Sequence, residues 1–318
     1  FHLADTAQFL PLENDEKAIL HYRGKRAFVI SAQKVSGDFS QKSFKDFDQH
    51  TVGLFGIEGK LGSWCDAEDG ILSGSNVEHG QTDSVLGFNF SLGVFESANF
   101  QYSISCADDH QLALTNFQKM RDEGFSKALS ETKKSWQKWL VPALRFSKKI
   151  DLKYQKKFIQ SLMLVKSHLA KTGAPIASND SEMLNYARDD YSYCWPRDAL
   201  FAIWPLIRLG YRDEPQNFFT FCKNSLTPGG FMMHKYLPNG ELGPSWHPYS
   251  QGGETRNLPI QIDETAGILF LFAQYYKKFR NNSILDEFYD DLVKPIADFL
   301  VDFCGENNLP KPNYELWE

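Results

Sequence analysis

Hydrophobic and polar positions follow a strand-like pattern in the first part of the chain. Up to about residue 125, short apolar runs such as Ala27–Ser31, Ser84–Phe90 and Gln101–Ser105 have strand composition, and Gly, Asn, Asp and Ser separate them. Runs of this kind predict short β-strands joined by turns. Because no helical segment of roughly 10–15 residues lies between them, we predict a β-sandwich over residues 1–125 rather than a βαβ unit.

A helical pattern begins after residue 125. Ser126–Leu140 is rich in helix formers, with Leu129 and Trp136 near helical spacing. Pro142 marks the expected end of this helix, because a proline inside a helix removes a backbone hydrogen bond. We therefore predict a linker helix within residues 126–150.

The predicted helices of residues 151–318 are of two kinds. The amphipathic ones, each with an apolar stripe of period near 3.6, lie at 152–171, 214–226 and 285–303. Ala199–Ile207 and Ala266–Ala273 are instead apolar on nearly every side, which predicts that each is enclosed on every side. Pro205 predicts a kink or an irregular turn in the first of these two.

The two kinds of helix alternate along the chain, and short links turn each helix back. This order favours repeated helical hairpins, with an inner ring of apolar helices inside an outer ring of amphipathic ones. A plain antiparallel bundle is the alternative, but it has less need of two fully enclosed helices.

Polar and aromatic clusters stand just before the apolar helices. Tyr191–Asp198 opens the first and Pro259–Thr265 the second, while Asn313–Glu318 follows the third amphipathic helix. Because the inner helices of a double ring run parallel, we expect these clusters to meet at one rim. The candidate binding residues are Tyr193, Trp195, Arg197, Asp198, Trp246, His247, Gln261, Asp263, Glu264 and Trp317.

This combination of side chains suits a sugar. Aromatic rings cover the apolar C–H faces, and carboxylates and amides bind the hydroxyls. Glycoside hydrolysis needs two carboxyl groups, and Glu318, beside Trp317, is placed to have its pKa raised by desolvation, as a general acid requires. Each feature also has an ordinary explanation: Arg197 and Asp198 as a helix cap and an ion pair, and His247 as a hydrogen-bonding loop residue.

The composition narrows the possible partners and the cell compartment. Against 40 Asp+Glu there are 34 Lys+Arg, a net charge of −6 that argues against nucleic acid, and the longest apolar run falls short of the roughly 18 residues of a membrane helix. Five scattered cysteines without CxxC spacing indicate neither a zinc site nor a disulfide framework and favour a reducing, cytoplasmic location. We predict an oligosaccharide or polysaccharide partner and no cofactor, because no phosphate loop or metal-ligand spacing is found.

The motifs together resemble those of glycoside hydrolase family 15, the glucoamylase family. They are Tyr-x-Tyr-x-Trp-x-Arg-Asp at 191–198, Leu-Gly-Tyr at 209–211, Gln-x-Asp-Glu-Thr-Ala at 261–266 and Tyr-Glu-Leu-Trp-Glu at 314–318. The front half, with Ala67-Glu-Asp-Gly70 and His79-Gly80, is similar to the β-sandwich of prokaryotic members.

The resemblance implies an (α/α)6 barrel and an inverting exo-hydrolase that releases glucose from the non-reducing ends of α-glucans or malto-oligosaccharides. It also implies that Arg197 and Asp198 hold the hydroxyls of the terminal glucose. Tyr193 and Trp195 would line the same subsite, with Gln261 and Asp263 in the polar wall around it. Glu318 would be the general acid.

The resemblance leaves alternatives open. A trehalase of the same family and a non-catalytic carbohydrate-binding or regulatory domain carry similar motifs. No residue matches the general base of the family, and residues 151–318 correspond to only the first half of the barrel. We therefore expect the chain to be a fragment, cut at both ends and inactive by itself.

Overall fold

The computed structural model describes residues 5–24, 26–35, 44–55, 62–179, 191–243, 250–251, 254–255 and 260–311. The chain divides into two compact units, Phe1–Gln137 and Lys138–Glu318. This division falls inside the predicted linker, residues 126–150.

The first unit is built on an antiparallel sheet. The strands described in it are β1 (Asp5–Pro11), β2 (Lys17–Arg23), β3 (Arg26–Val35), β4 (Phe44–Asp46), β5 (Gln49–Leu54), β6 (Val77–Gly80), β7 (Thr82–Gly87) and β8 (Asn99–Ala107). Six of them form one sheet in the order β4-β3-β2-β1-β6, with β8 paired to β3, while β5 and β7 form a second sheet. The predicted β-rich region is thus confirmed.

The two faces of the large sheet are covered differently. Ile19 and Leu20 are neighbours on β2, and strand geometry sends their side chains to opposite faces. Leu20 packs with Val29 and Phe117 of a helix, whereas Ile19 packs with Val52 of the two-stranded sheet. The sheet therefore has a helix on one face and a second sheet on the other.

That helix, α2 (His110–Glu123), was not predicted, although the sequence carries its end signals. Asp109 caps its N-terminus by accepting a hydrogen bond from the Leu112 N–H, and Gly124 follows its last residue. Arg121, whose side chain is 7% exposed, donates to Asp46 of β4 at 2.8 Å and lies 3.2 Å from Glu16. These ion pairs fix the helix to the sheet.

The other described α-helices lie from the linker onward, apart from one short helix of the first unit. They are α1 (Ser63–Asp66), a short helix of the first unit, then α3 (Phe125–Trp139), α4 (Val141–Ser147), α5 (Leu152–Ser167), α6 (Pro196–Leu209), α7 (Asp213–Ser225), α8 (Ile262–Phe279), α9 (Ser283–Phe288) and α10 (Lys294–Asp302). A π-helical turn, Tyr289–Val293, joins α9 to α10, so the predicted helix 285–303 is one helical run with a wider turn inside it. Leu140 separates α3 from α4, so the predicted linker helix is interrupted there. Pro205, where the sequence predicts a kink or an irregular turn, lies inside α6, and the helix continues through it.

The helices α6 and α8 lie side by side and run parallel. Arg197 contacts Asp263 in the first turns, and Trp204 contacts Phe270 two turns later. In both contacts the two residues are separated by the same number of positions in the sequence, as expected for two parallel neighbouring helices. Between them, Gly267 lets Leu200 approach closely, because a Cβ on this glycine would lie 2.6 Å from the leucine Cδ1.

One side of these two helices differs from the prediction of full enclosure. Ile203, Leu206 and Leu271 are buried in the core of the second unit. Phe201, in contrast, is 65% exposed and Phe270 is 40% exposed. No element in the described part of the chain covers this side, so the two helices are enclosed on the core side alone.

A tight turn holds α5 against α7. Gly173 has φ +96°, and a Cβ on it would lie 2.1 Å from the Asn217 carbonyl oxygen of α7. Gly210, at the end of α6, has a similar φ of +99° but open space around it. The two glycines share a backbone conformation that disfavours side chains, while only Gly173 is also confined.

We expect Gly173→Ala to destabilise the chain by more than about 3 kcal/mol, because the α7 backbone must move. Gly210→Ala is the matched control and is expected to cost about 1–2 kcal/mol, since it adds backbone strain alone. Urea unfolding of both variants measures the difference. Equal losses would contradict the close packing of this turn on α7.

Candidate functional site

The first turn of α6 presents Arg197 and Asp198. Trp195 is the N-cap residue, and Pro196 occupies the first turn, where its missing N–H costs no helical bond. The preceding backbone is fixed by two hydrogen bonds, from the Cys194 N–H to the Tyr236 carbonyl and from the Tyr236 N–H to the Cys194 carbonyl, at 2.8 and 2.9 Å. The residues that lead into this helix therefore have a set position.

The first turn of α8 presents the second polar group. Gln261 is the N-cap residue, and the Glu264 N–H donates to its carbonyl at 3.1 Å. Thr265 accepts a hydrogen bond from the Met232 N–H at 3.0 Å. Gln261, Glu264 and Thr265 are buried, whereas Asp263 projects outward and is exposed.

A bidentate ion pair joins the two helix starts. Arg197 donates from Nε to Asp263 Oδ2 at 2.5 Å and from Nη2 to Asp263 Oδ1 at 2.7 Å. These hydrogen bonds lower the pKa of the Asp263 carboxyl and raise the pKa of the Arg197 guanidinium. The geometry is that of the planar fork, which fixes orientation as well as distance.

Aromatic rings and a buried cation form one wall. The ring of Tyr191, an exposed residue, stacks on Trp195 at 5.7 Å, and the buried Tyr193 meets the same indole edge-on at 5.7 Å. Lys235 is almost completely buried, with Nζ 4.6 Å from the centroid of the Tyr193 ring and 5.5 Å from that of Trp195. Cation–π attraction thus ties the segment before α8 to the aromatic cluster before α6.

A histidine lies behind the same indole. Trp195 Nε1 donates to His234 Nε2 at 3.3 Å, and His234 Nδ1 lies 3.1 Å from Gln261 Oε1. The ring is buried and bridges the N-cap residues of α6 and α8.

Glu264 is the most unusual titratable group of the site. Its side chain is fully buried, and neither carboxyl oxygen accepts a hydrogen bond from any residue that the structure describes. His234 Nδ1 is 3.7 Å from Oε1, which is within ion-pair range but too long for a hydrogen bond. Burial raises the pKa of Glu264 to about 7, an effect that His234 partly offsets.

The structure brings together most of the predicted site residues. Tyr193, Trp195, Arg197, Gln261, Asp263 and Glu264 are linked by the contacts above, and Asp198 is exposed on the same first turn as Arg197. Trp246, His247, Trp317 and Glu318 lie outside the described residues. Whether the collected residues bind a substrate stays a prediction.

His234 and Lys235 belong to the site but were not predicted from the sequence. They are adjacent polar residues in the otherwise apolar segment Phe231–Tyr236, between two helices. A buried polar pair inside such a run is itself a signal, because charged and polar side chains are buried mainly where they have partners.

The described residues hold no group of three or more His, Cys, Asp or Glu side chains arranged to bind a metal ion. Within the same residues, no helix combines the length and the hydropathy that crossing a membrane requires.

Comparison with known proteins gives a family and a fold. The family model of glycosyl hydrolases family 15 matches residues 152–318, more than half of the chain. A bacterial glucoamylase, solved in complex with acarbose, is 18% identical and matches with a TM-score of 0.66 over 95% of this chain. The match covers 39% of the glucoamylase chain, so this sequence spans about two fifths of that protein. No curated protein sequence matches.

The raised pKa of Glu264 predicts a pH-dependent stability. The folded chain keeps the Glu264 proton up to about pH 7, whereas an unfolded glutamate loses it near pH 4.3. The free energy of unfolding therefore falls as the pH rises between these values. We expect Glu264→Gln, which stays neutral, to be more stable than wild type by on the order of 3 kcal/mol above pH 7 and equally stable near pH 4.

Unfolding in urea from pH 4 to 8 measures this difference. Glu214→Gln is the matched control, because Glu214 is also buried but accepts hydrogen bonds from Trp139 Nε1 at 2.6 Å and Lys166 Nζ at 2.7 Å. It is expected to lose stability at pH 7, since a charged acceptor is removed from two donors. A Glu264→Gln variant less stable than wild type at pH 8 would contradict the buried, unpartnered carboxyl.

Proposed function

The chain belongs to glycosyl hydrolase family 15, and from this premise we propose that it is part of a glycoside hydrolase of glucoamylase type. In this proposal the whole protein is an inverting exo-hydrolase, which releases glucose from the non-reducing ends of α-glucans or malto-oligosaccharides. The proposal extends to residues 1–125 as a β-sandwich and to residues 151–318 as the first half of an (α/α)6 barrel, with the linker at 126–150. The likeness in fold to the acarbose-bound glucoamylase supports it.

The observation that carries the proposal is the joining of two helix starts by Arg197 and Asp263. This ion pair gathers an aromatic wall and several hydrogen-bonding groups on one side of two parallel helices. A pyranose ring needs that combination, because its C–H faces are apolar and its hydroxyls both donate and accept.

Each residue has a proposed role. Asp198 is exposed and accepts hydrogen bonds from the hydroxyls of the terminal glucose, while Arg197, oriented by Asp263, donates to the same hydroxyls. Tyr193 and Trp195 line the subsite. The remaining residues of the polar wall are Gln261, Asp263 and Glu264, with Trp246, His247 and Trp317 proposed to complete it.

Glu318 is the proposed general acid, which protonates the glycosidic oxygen as the bond to the anomeric carbon breaks. Inversion also requires a carboxylate base that activates water on the opposite face of the sugar. No residue of the 318 matches the base of the family, and we therefore propose that this chain alone does not hydrolyse the substrate.

We expect Glu318→Gln to lower kcat of the whole protein by about 10²–10⁴-fold with folding intact, because the amide cannot donate the proton. Steady-state release of glucose from maltotriose measures it. Glu306→Gln is the control, because Glu306 is exposed in the loop that follows α10. This change should leave kcat unchanged. Activity within twofold of wild type for Glu318→Gln would remove this residue from the mechanism.

The anomer of the released glucose tests the stereochemistry. We expect β-glucose as the first product from maltotriose, since inversion at an α-linkage gives the β-anomer. Proton NMR in the first minutes of the reaction distinguishes the two anomers, and initial α-glucose would contradict inversion. Trehalose, incubated in parallel, tests the trehalase alternative. Binding of acarbose without release of glucose from either substrate would favour a carbohydrate-binding domain.

A further inference from the structure

His234 occupies a position that connects three parts of the site. Its Nε2 is 3.3 Å from Trp195 Nε1, and its Nδ1 is 3.1 Å from Gln261 Oε1 and 3.7 Å from Glu264 Oε1. The ring therefore lies between the aromatic wall before α6 and the buried polar groups at the start of α8.

The backbone holds this ring from both sides. The Met232 N–H donates to Thr265 Oγ1 of α8, and Tyr236 exchanges two backbone hydrogen bonds with Cys194, the residue before Trp195. His234 lies midway between these anchors. Its position is thus set by the same two elements that its side chain joins.

The direction of the hydrogen bonds fixes the state of the ring. An indole N–H can only donate, so Nε2 must be unprotonated to accept from Trp195. In the neutral ring the proton is then on Nδ1, where it donates to Gln261 Oε1. A second proton would place an N–H on Nε2, facing the indole N–H, and the hydrogen bond to Trp195 would be lost.

We propose that His234 is a positioning residue: as a neutral Nδ1–H imidazole it holds the Trp195 indole in the orientation that binds the sugar, and protonation of its ring releases that indole. This inference rests on the proposed function in that Trp195 lines the glucose subsite. His234 acts through Trp195 and does not itself touch the sugar.

The titratable groups around the ring decide when it is protonated. Glu264 faces Nδ1, and the Arg197–Asp263 pair interacts with Glu264 from the first turns of α6 and α8. Cys194 and Tyr236 interact with the same carboxyl, and burial raises the pKa of both above its usual range, so they stay neutral between pH 4 and 8. Lys235 places its Nζ over the rings of Tyr193 and Trp195, 4.6 and 5.5 Å from their centroids.

Because burial disfavours a separated ion pair, one proton shared between His234 and Glu264 resides on the carboxyl and leaves the ring neutral. A second proton, taken up at acidic pH, has to go to the ring. The release of the indole is therefore expected on the acid side.

Two variants of His234 separate positioning from simple packing. Glutamine keeps an acceptor for the indole and a donor for Gln261 but cannot take up a proton. Leucine fills the space without either hydrogen bond. His21→Gln is the matched control, because His21 is a partly buried histidine in the first unit that is hydrogen-bonded to Ser84 at 2.9 Å.

The first measurement needs no ligand. The Trp195 indole ¹H–¹⁵N resonance of the 318-residue chain, assigned with Trp195→Phe, is followed from pH 8 to pH 4. We expect it to shift on the acid side in wild type and in His21→Gln and to stay in place in His234→Gln. A resonance that is independent of pH in wild type, or that shifts equally in His234→Gln, would overturn the proposal.

The second measurement is the dissociation constant of acarbose for the whole protein, determined by calorimetry at pH 5 and pH 7. We expect His234→Leu to bind acarbose about tenfold more weakly than wild type at pH 7, the size of one lost hydrogen bond, and to bind it equally well at pH 5 and pH 7. His234→Gln is expected within about threefold of wild type at pH 7 and without the weakening that wild type shows at pH 5. Wild-type affinity in His234→Leu, or a wild-type pH dependence in His234→Gln, would refute the positioning role. If wild type binds no acarbose, the proposed function fails, while the indole measurement still decides the link between His234 and Trp195.

Discussion

The two hydrogen bonds from Arg197 to Asp263 join the two helix starts on which the other parts of the site are built. Two parallel helices that begin side by side bring two partially positive N-termini together, an arrangement that is unfavourable without compensation. Asp198, Asp263 and Glu264 provide negative or polarisable groups in those first turns. The guanidinium between the helices would add to the repulsion if Asp263 did not hold it bidentately. The ion pair therefore offsets this repulsion and, together with the contacts further along the two helices, sets their register.

Behind this exposed ion pair lies a layer of buried polar side chains. Gln261, Glu264, His234 and Lys235 are all removed from water, at a desolvation cost that hydrogen bonds and cation–π contacts offset only in part. Such a layer fits few alternative arrangements, because each group accepts only certain partners in certain directions. The neutral state of Glu264 at acidic pH follows from the same desolvation. Burial of these polar groups thus accounts both for the restricted arrangement behind the aromatic wall and for the raised pKa of Glu264.

The sequence predicts the parts of this architecture that have a period or a motif. The strands around Ala27–Ser31 and Gln101–Ser105 are confirmed, as are the apolar helices that follow the two polar clusters. The parallel approach of those helices also follows from alternation along the chain. His234 and Lys235 could not be found in this way, because single residues of a connecting segment have no period. An all-apolar helix predicts a cover on every side, but no element in the described residues covers the side of α6 that carries Phe201.

The constant offset between α6 and α8 has a consequence for variation in length. Contacts at Arg197–Asp263 and Trp204–Phe270 set the register at two points, and the close approach of Leu200 to Gly267 sets it between them. Within the segment that connects the two helices, Met232–Tyr236 adds contacts to both helix starts. Insertions or deletions in the loops of that connection, outside α7 and Met232–Tyr236, are expected to leave the two first turns facing each other. A single residue inserted within the first two turns of either helix rotates its later side chains by about 100° and separates one contact from the other.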